Sequence, residues 1–360
     1  MIQKMIGRIE MKIFEKILTI IVVSGMMTAL TASCDQNVTS TSSRVVEGKL
    51  IKIGVLLYRF DDAYISLVRQ SLEEIQKENE GKVEFTFYDG KNDQSIQNES
   101  IDTLLEKNNV DLLLLNLVET NSTRLVINKI KEKNIPVILF NREPVSIESI
   151  KSYSKSCYIG TEAEQAGVLQ GKVVIKAWNS NKAAIDKNND NVLQYIMLMG
   201  ERDNLEAITR TKYSILTINN EGIETQELAL KVCNWSEDEA KNTTKALLLQ
   251  FGNKIEAIIA NNDSMAIGAI KALQEYGYNK GDKTPTITVV GVDAIPQAQE
   301  LIKEGIMTGS VLQDPSALAK ALYTVGVNLV YNRNPLYDTE YKFDNTGVSI
   351  RLPYQEYTDK

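Results

Sequence analysis

From Lys49 onward, short apolar runs alternate with longer amphipathic stretches, and the alternation runs its course twice. Strands are expected at Ile51–Leu57, Val83–Tyr88, Asp111–Asn116, Pro136–Phe140 and Cys157–Ile159, with helices over Ala63–Asn79, Gln94–Lys107 and Thr120–Lys133 between them. After Ile159 the pattern restarts, with strands expected at Val192–Met199, Gly222–Leu230, Glu256–Ala260, Ile287–Val292 and Met307–Leu312. Near-continuous apolar runs separated by helix-length segments are the mark of parallel strands covered on both faces. The fold class is therefore α/β, as two Rossmann-like lobes, each a mostly parallel sheet flanked by helices. Two five-stranded sheets are more economical than one of ten, and 360 residues suit two domains.

The segment before this alternation reads as an address. Lys4, Arg8, Lys12 and Lys16 precede an uncharged apolar run, Ile17–Leu30. That run is short for a bilayer span and fits a signal-peptide core. Leu30-Thr31-Ala32-Ser33-Cys34 then places small residues before a cysteine and resembles a bacterial lipoprotein processing site, which makes residues 1–33 the signal peptide and Cys34 the lipidated residue. Met11 is an alternative start. Residues 34–48 are polar, rich in Ser and Thr and without periodicity, as a flexible tether would be.

Charge and composition narrow the function. The net charge of −7 comes without a basic stripe, so nucleic acid is not an expected partner. The chain has no histidine, which excludes any imidazole base or ligand. Three cysteines make no disulfide framework, and Cys157 and Cys233, in strand-like runs, read as small buried hydrophobes.

In open α/β sheets ligands gather at the carboxyl ends of strands, so the residues that follow each apolar run carry the functional information. Five strand ends carry Asp, Asn or Gln: Tyr58–Tyr64 (YRFDDAY), Phe140–Pro144 (FNREP), Ala260–Asp263 (ANND), Gly291–Ala294 (GVDA) and Leu312–Pro315 (LQDP). Such residues also cap helices, and Asp263 and Asp314 are read as caps. Asp62, Asn141, Asn262 and Asp293 are read as ligand groups because they converge on one site. Carboxylates and amides take paired hydrogen bonds from vicinal hydroxyls, and aromatic rings cover the C–H faces of a sugar. Tyr64 and Trp235 stand at strand–helix junctions as candidate stacking rings, Trp235 being one of only two tryptophans.

A second candidate site is Asp186-Lys187-Asn188-Asn189-Asp190-Asn191-Val192-Leu193-Gln194. Asp186, Asn188, Asp190 and Gln194 place side-chain oxygens at positions 1, 3, 5 and 9, with the Val192 carbonyl at 7, the first part of an EF-hand-like calcium pattern. Asn191 stands where glycine is usual, and Asn tolerates positive φ. No glutamate follows at position 12. A solvated polar loop is the competing reading.

With these residues assembled, the chain closely resembles the bacterial galactose/glucose-binding protein family, type I periplasmic solute-binding proteins. The resemblance runs from about Lys52 to Tyr354 through IGVLLYRFDDAYISLVR (53–69), YDGKNDQSIQN (88–98), NIPVILFNREP (134–144), YIGTEAEQAGVLQG (158–171), KIEAIIANNDSMAIGAIKAL (254–273) and VVGVDAIPQA (289–298). It implies that Asp62, Tyr64, Asn141, Arg210, Trp235, Asn262 and Asp293 contact a sugar. Three further contact positions depart from the family: Asn204 replaces a histidine, Glu206 an aspartate and Gln313 an asparagine. Each changes reach or charge, which leaves the exact sugar open. The resemblance also supplies Glu256 as a remote ligand for a structural calcium. It implies lobes of 49–160 plus 315–353 and 161–314 plus 354–360, joined by crossings near Gly160, Asp314 and Pro353, that close around one hexose, glucose or galactose. The partner it implies is an ABC transporter permease, with a chemoreceptor as a further one; the acidic chain gives no sign of a stable oligomer, so a monomer anchored outside the cytoplasm through Cys34 is expected.

Three rivals remain in view. A transcriptional regulator of this fold needs a DNA-binding head, for which the leader and tether leave no room. A sugar-processing enzyme would have to use Glu206 and Asp293 as acid and base, against the pattern of a non-catalytic family. A binding protein for a different monosaccharide, a polyol or a small signalling molecule is the alternative kept.

Overall fold

A strand such as Leu112–Leu115, four leucines in a row, has no face to give to water. In the computed structural model, which describes residues 48–281 and 284–359, this strand feeds two cores at once. Leu112 and Leu114 enter one cluster and Leu113 and Leu115 the other. The leader, Cys34 and all of the tether but Gly48 lie outside the described residues.

The first half of the chain runs β1 (Ile51–Leu57), α1 (Ala63–Glu78), β2 (Val83–Asp89), α2 (Gln94–Lys107), β3 (Leu112–Leu115), α3 (Thr123–Glu132), β4 (Val137–Phe140), α4 (Glu148–Lys151) and β5 (Ser156–Thr161). The second runs α5 (Ala163–Ile185), β6 (Val192–Met199), α6 (Leu205–Asn220), β7 (Glu224–Val232), α7 (Glu237–Phe251), β8 (Ala257–Ala260), α8 (Asp263–Glu275), β9 (Thr288–Val290), α9 (Pro296–Lys303) and β10 (Ser310–Leu312). The chain closes with α10 (Pro315–Val330), β11 (Ser349–Leu352) and β12 (Gln355–Tyr357). The helix expected over Thr120–Lys133 opens with a 3-10 turn, Thr120–Ser122. Among the described residues no helix is long and apolar enough to cross a membrane.

The expectation of five strands in each sheet is corrected. One sheet has six parallel strands in the order β11-β5-β4-β3-β1-β2, and the other has four, β7-β6-β8-β9. The sixth strand of the first sheet, β11, comes from the far end of the chain. The strand expected at Met307–Leu312 shortens to β10, which pairs antiparallel with β12 and meets the second sheet only through bridges at Gly309 and Leu312. In both sheets the order reverses beside the first strand entered, between β1 and β3 and between β6 and β8, and such reversals open a crevice at the strand ends.

Side-chain caps fix where helices start. Asp62, Asp93, Asn204, Ser236, Asn262 and Asp314 each accept a backbone N–H of the first turn that follows. The chain passes between the halves three times: from β5 into α5, which packs on α6 and β9; from β10 into α10, which packs on α1 and β5; and from β11 into β12. All described residues belong to one compact unit. Cys157 and Cys233 are buried and unpaired by disulfide, as expected.

Candidate functional site

The carboxyl ends of the two sheets face one cavity. All ten residues singled out from the sequence line it: Asp62, Tyr64, Asn141, Asn204, Glu206, Arg210, Trp235, Asn262, Asp293 and Gln313. Tyr58, Ile65 and Arg142 line it too and were not singled out, although Tyr58 and Arg142 stand within the same strand-end runs.

On the first-sheet side, Asp62 divides its carboxylate. Oδ1 accepts the Ile65 N–H at 2.9 Å, capping α1, and Oδ2 accepts the Tyr58 hydroxyl at 2.5 Å. Tyr64, in the first turn of α1, is buried. Asn141 follows β4 with φ +60°, and its Oδ1 accepts from Asn116 at 3.2 Å. Arg142 donates to the carbonyls of Leu117 and Val118 at 2.7 and 2.8 Å, lies 4.6 Å from the Tyr58 ring, and pairs with Glu201 of the other half at 2.7 Å.

From the second sheet, Asn204 and Asn262 each spend Oδ1 on a helix cap, accepting from Ala207 at 3.1 Å and Met265 at 3.0 Å. Glu206 crosses to the other half, where Oε1 accepts the Glu143 N–H at 2.9 Å; burial pushes its carboxyl above the ordinary range. Arg210 is held by neutral acceptors, the Asn261 carbonyl at 2.9 Å and the Tyr354 hydroxyl at 2.7 Å. Trp235, at φ +60°, lies against Gly200, where an added Cβ would stand 2.3 Å from the indole. Only glycine leaves room for that ring. Asp293 follows β9 with φ +113°, a backbone conformation costly to any side chain. Burial and the nearby Asp263 and Asp62 push its carboxyl upward while Arg210 opposes them.

The readings of Asp314 and Asp263 as caps divide. Asp314 caps α10 through the N–H groups of Ser316 and Ala317. Asp263 does not cap α8, because the helix begins one residue earlier and Asn262 does that work. Asp263 is instead fully buried, accepting from Ser310 Oγ at 2.6 Å and the Ile295 N–H at 2.9 Å, and so ties the Asp293 loop to β10.

Nine buried side-chain polar atoms have no hydrogen-bond partner among the described residues, and five belong to the ten cavity residues: Tyr64 Oη, Glu206 Oε2, Arg210 Nε, Trp235 Nε1 and Gln313 Nε2. An unsatisfied buried polar group costs about 1–3 kcal/mol. Their concentration in one cavity marks it as a place completed by a ligand with many donors and acceptors.

In the 186–194 loop, Asp186 accepts the N–H groups of Asp190 and Asn191 at 3.1 Å each, and Asp190 accepts that of Val192 at 2.9 Å. Asn191 has φ +65°, in the left-handed region expected of a glycine substitute. Glu256 reaches the loop from 62 residues away, accepting from Gln194 N at 3.0 Å and from Lys187 N at 2.7 Å. Burial and the charges of Asp186 and Asp190 push its carboxyl upward. Among the described residues no cluster of three acidic, His or Cys side chains is arranged as a metal centre. A cation here would rely on amide and carbonyl oxygens as well. Gln194 Oε1 is buried without a partner, and the Gln194 and Asn188 amides both turn nitrogen toward Asp190, at 2.8 and 2.7 Å. A half-turn of either amide exchanges donor for oxygen ligand. The donor set fits a hard cation.

Two α/β halves with a polar cavity between their facing strand ends define a solute receptor. The chain belongs to the periplasmic binding protein domain family, whose model matches residues 53–334. It is an extracytoplasmic solute-binding protein and not an enzyme. It is 37% identical over 306 residues to the D-galactose/methyl-galactoside binding periplasmic protein MglB of Haemophilus influenzae, covering 84% of this chain and 88% of that one. It is 28% identical over 281 residues to a putative rhizopine-binding protein of Rhizobium meliloti, covering 77% and 84%. Among solved structures, an ABC transporter solute-binding protein of Bacillus halodurans with bound myo-inositol superposes with a TM-score of 0.70 at 25% identity, covering 87% of this chain and 96% of that one.

Proposed function

We propose that this protein binds one hexose, galactose or a methyl-galactoside first and glucose second, and delivers it to an ABC transporter permease. The observation that carries the reading is the set of five unpartnered polar atoms in a cavity walled by Tyr64 from one half and Trp235 from the other. A hexose supplies hydroxyls for the atoms and C–H faces for the rings. The similarity to a galactose/methyl-galactoside binding protein supports the same ligand.

Binding proceeds by hinge closure of two lobes, 49–160 plus 315–353 and 161–314 plus 354–360, about the three crossings. The closed form is what the permease recognises, and a chemoreceptor is a second reader of the same form. The receptor acts as a monomer held at the membrane by a lipid on Cys34. A structural calcium occupies the 186–194 loop with Asp186, Asn188, Asp190, the Val192 carbonyl, Gln194 and Glu256 as ligands.

A second reading, a different monosaccharide, a polyol or a small signalling molecule, is favoured by Asn204, Glu206 and Gln313, and by relatives named for rhizopine and bound to myo-inositol. Titration calorimetry with D-galactose, methyl-β-D-galactoside, D-glucose and myo-inositol separates the two. One-to-one binding of a galactoside at micromolar affinity, about −8 kcal/mol, is the expected result. Heat from myo-inositol alone would replace the first reading by the second.

A further inference from the structure

Each of the three chain crossings contributes one polar side chain to a single cluster. Thr161 ends β5, Gln313 follows β10, and Tyr354 stands between β11 and β12. The Tyr354 hydroxyl accepts from Arg210 Nη2 at 2.7 Å and from Thr161 Oγ1 at 2.7 Å, and donates to Gln313 Oε1 at 3.4 Å. A phenolic hydroxyl has one proton to give and two lone pairs to offer. All three are in use, each toward a different segment. The residue is buried, and its backbone N–H donates to Gln165 of α5 at 3.0 Å, so the ring cannot shift without disturbing the second half.

Arg210 and Gln313 line the ligand cavity; Tyr354 and Thr161 do not. Arg210 Nη1 is fixed by the Asn261 carbonyl, and Nε is left without a partner. Tyr354 therefore helps to set where that guanidinium stands, together with the Asn261 carbonyl and Gln313, and through Thr161 and Gln313 it joins that position to the strands of the other two crossings.

We propose that Tyr354 is the positioning residue that couples the ligand cavity to the hinge, its hydroxyl holding Arg210 in place while tying the three crossings together. The inference rests on the reading of the cavity as a sugar site, and its test separates the two. Tyr354→Phe keeps the ring and deletes the hydroxyl. In the full chain it weakens D-galactose binding about tenfold, the loss expected of a hydrogen bond to a charged group. Because Tyr354 acts through Arg210, the losses do not add: Arg210→Lys/Tyr354→Phe binds no more weakly than Arg210→Lys alone. Small-angle scattering of sugar-free Tyr354→Phe shows a larger and broader lobe separation than the wild type. Unchanged galactose affinity, or losses that add in full, would overturn the proposal. If the wild type takes up no galactose, the sugar reading fails on its own and the sugar-free scattering decides: a widened distribution supports the coupling, and one identical to wild type overturns it. If Tyr354→Phe does not fold, Thr161→Val, which removes one of the three bonds at constant size, takes its place in the scattering measurement.

Discussion

Asp62 shows how a strand-end residue combines two roles that sequence reading sets against each other. One carboxylate oxygen caps α1, the other accepts the Tyr58 hydroxyl, and the residue lines the cavity. The same division holds at Asn204 and Asn262. Asp62→Asn should separate the roles, since Asn caps as well as Asp but has no charge to assist a sugar hydroxyl. Its unfolding midpoint should stay within a few degrees of wild type while galactose affinity falls about tenfold or more; equal affinity by calorimetry would take Asp62 out of the ligand set. Glu206 makes a pH prediction. Burial raises its carboxyl pKa in the fold, so the folded state holds the proton more tightly than the unfolded chain. That contribution to stability is complete below the unfolded value, about 4.3, and is lost as pH rises through the raised one. Glu206→Gln should lose this part of the pH dependence, so that its thermal midpoint changes differently from wild type between pH about 4 and about 7. Coincident profiles would contradict the buried-acid account. Asp62, Tyr64, Asn141, Trp235, Asn262 and Asp293 were legible because strand ends punctuate an apolar sequence, whereas Asn204, Glu206, Arg210 and the ligand role of Gln313 came only with the family resemblance. Tyr58 and Arg142 stand in the same strand-end runs as Asp62 and Asn141, but no feature of the sequence marks them as cavity residues. Nothing in the run Leu352-Pro353-Tyr354-Gln355 told where the Tyr354 hydroxyl would go.

Among elements, the parallel strands were legible to within a residue or two, the central ones because burial on both faces leaves an unbroken apolar run and the edge strands β2 and β7 because apolar and polar residues alternate. The late strands were not. Ser349–Leu352 is four residues with an arginine inside, and Gln355–Tyr357 is three residues, two of them exposed. Their pairing is set by neighbours distant in sequence, Tyr158 of β5 for Ser349 and Ser310 of β10 for Tyr357, which local periodicity cannot record. The 186–194 loop and Glu256 form a unit of the same long-range kind, and calcium should act there. At about a hundredfold excess over its dissociation constant a bound cation contributes about 2.7 kcal/mol, a rise of several degrees in Tm for a chain of this size. Calcium addition should produce that rise in scanning calorimetry, a chelator should reverse it, and Asp190→Ala should abolish it with galactose affinity kept. A midpoint indifferent to calcium would leave the loop a hydrogen-bonded turn.

On the scale of the whole molecule, two polar contacts between described residues span the cleft: the Arg142–Glu201 ion pair and the Glu143 N–H on Glu206. Both join the first-sheet half to the second, so the proposed opening of the hinge would break them. Glu201 does not line the sugar cavity, so Glu201→Gln should change closure without removing a ligand contact. Scattering of the sugar-free variant should give a larger radius of gyration than wild type, with galactose binding weakened a few-fold through the smaller closed population. An unchanged radius would mean that the pair does not bias the hinge. The split into halves was legible from the restart of the alternation after Ile159. The unequal sheets were not, because the chain returns to the first half only after completing the second.

Gly200 has a practical consequence. By leaving room for Trp235 it sets one indole, with its Nε1 unpartnered, in the wall of the cavity, while Trp178, the other tryptophan, is locked in a core of the second half beneath β6. Emission that changes when the cavity fills therefore originates from a single residue. The protein carries its own optical gauge of occupancy, readable without dye, label or engineered probe.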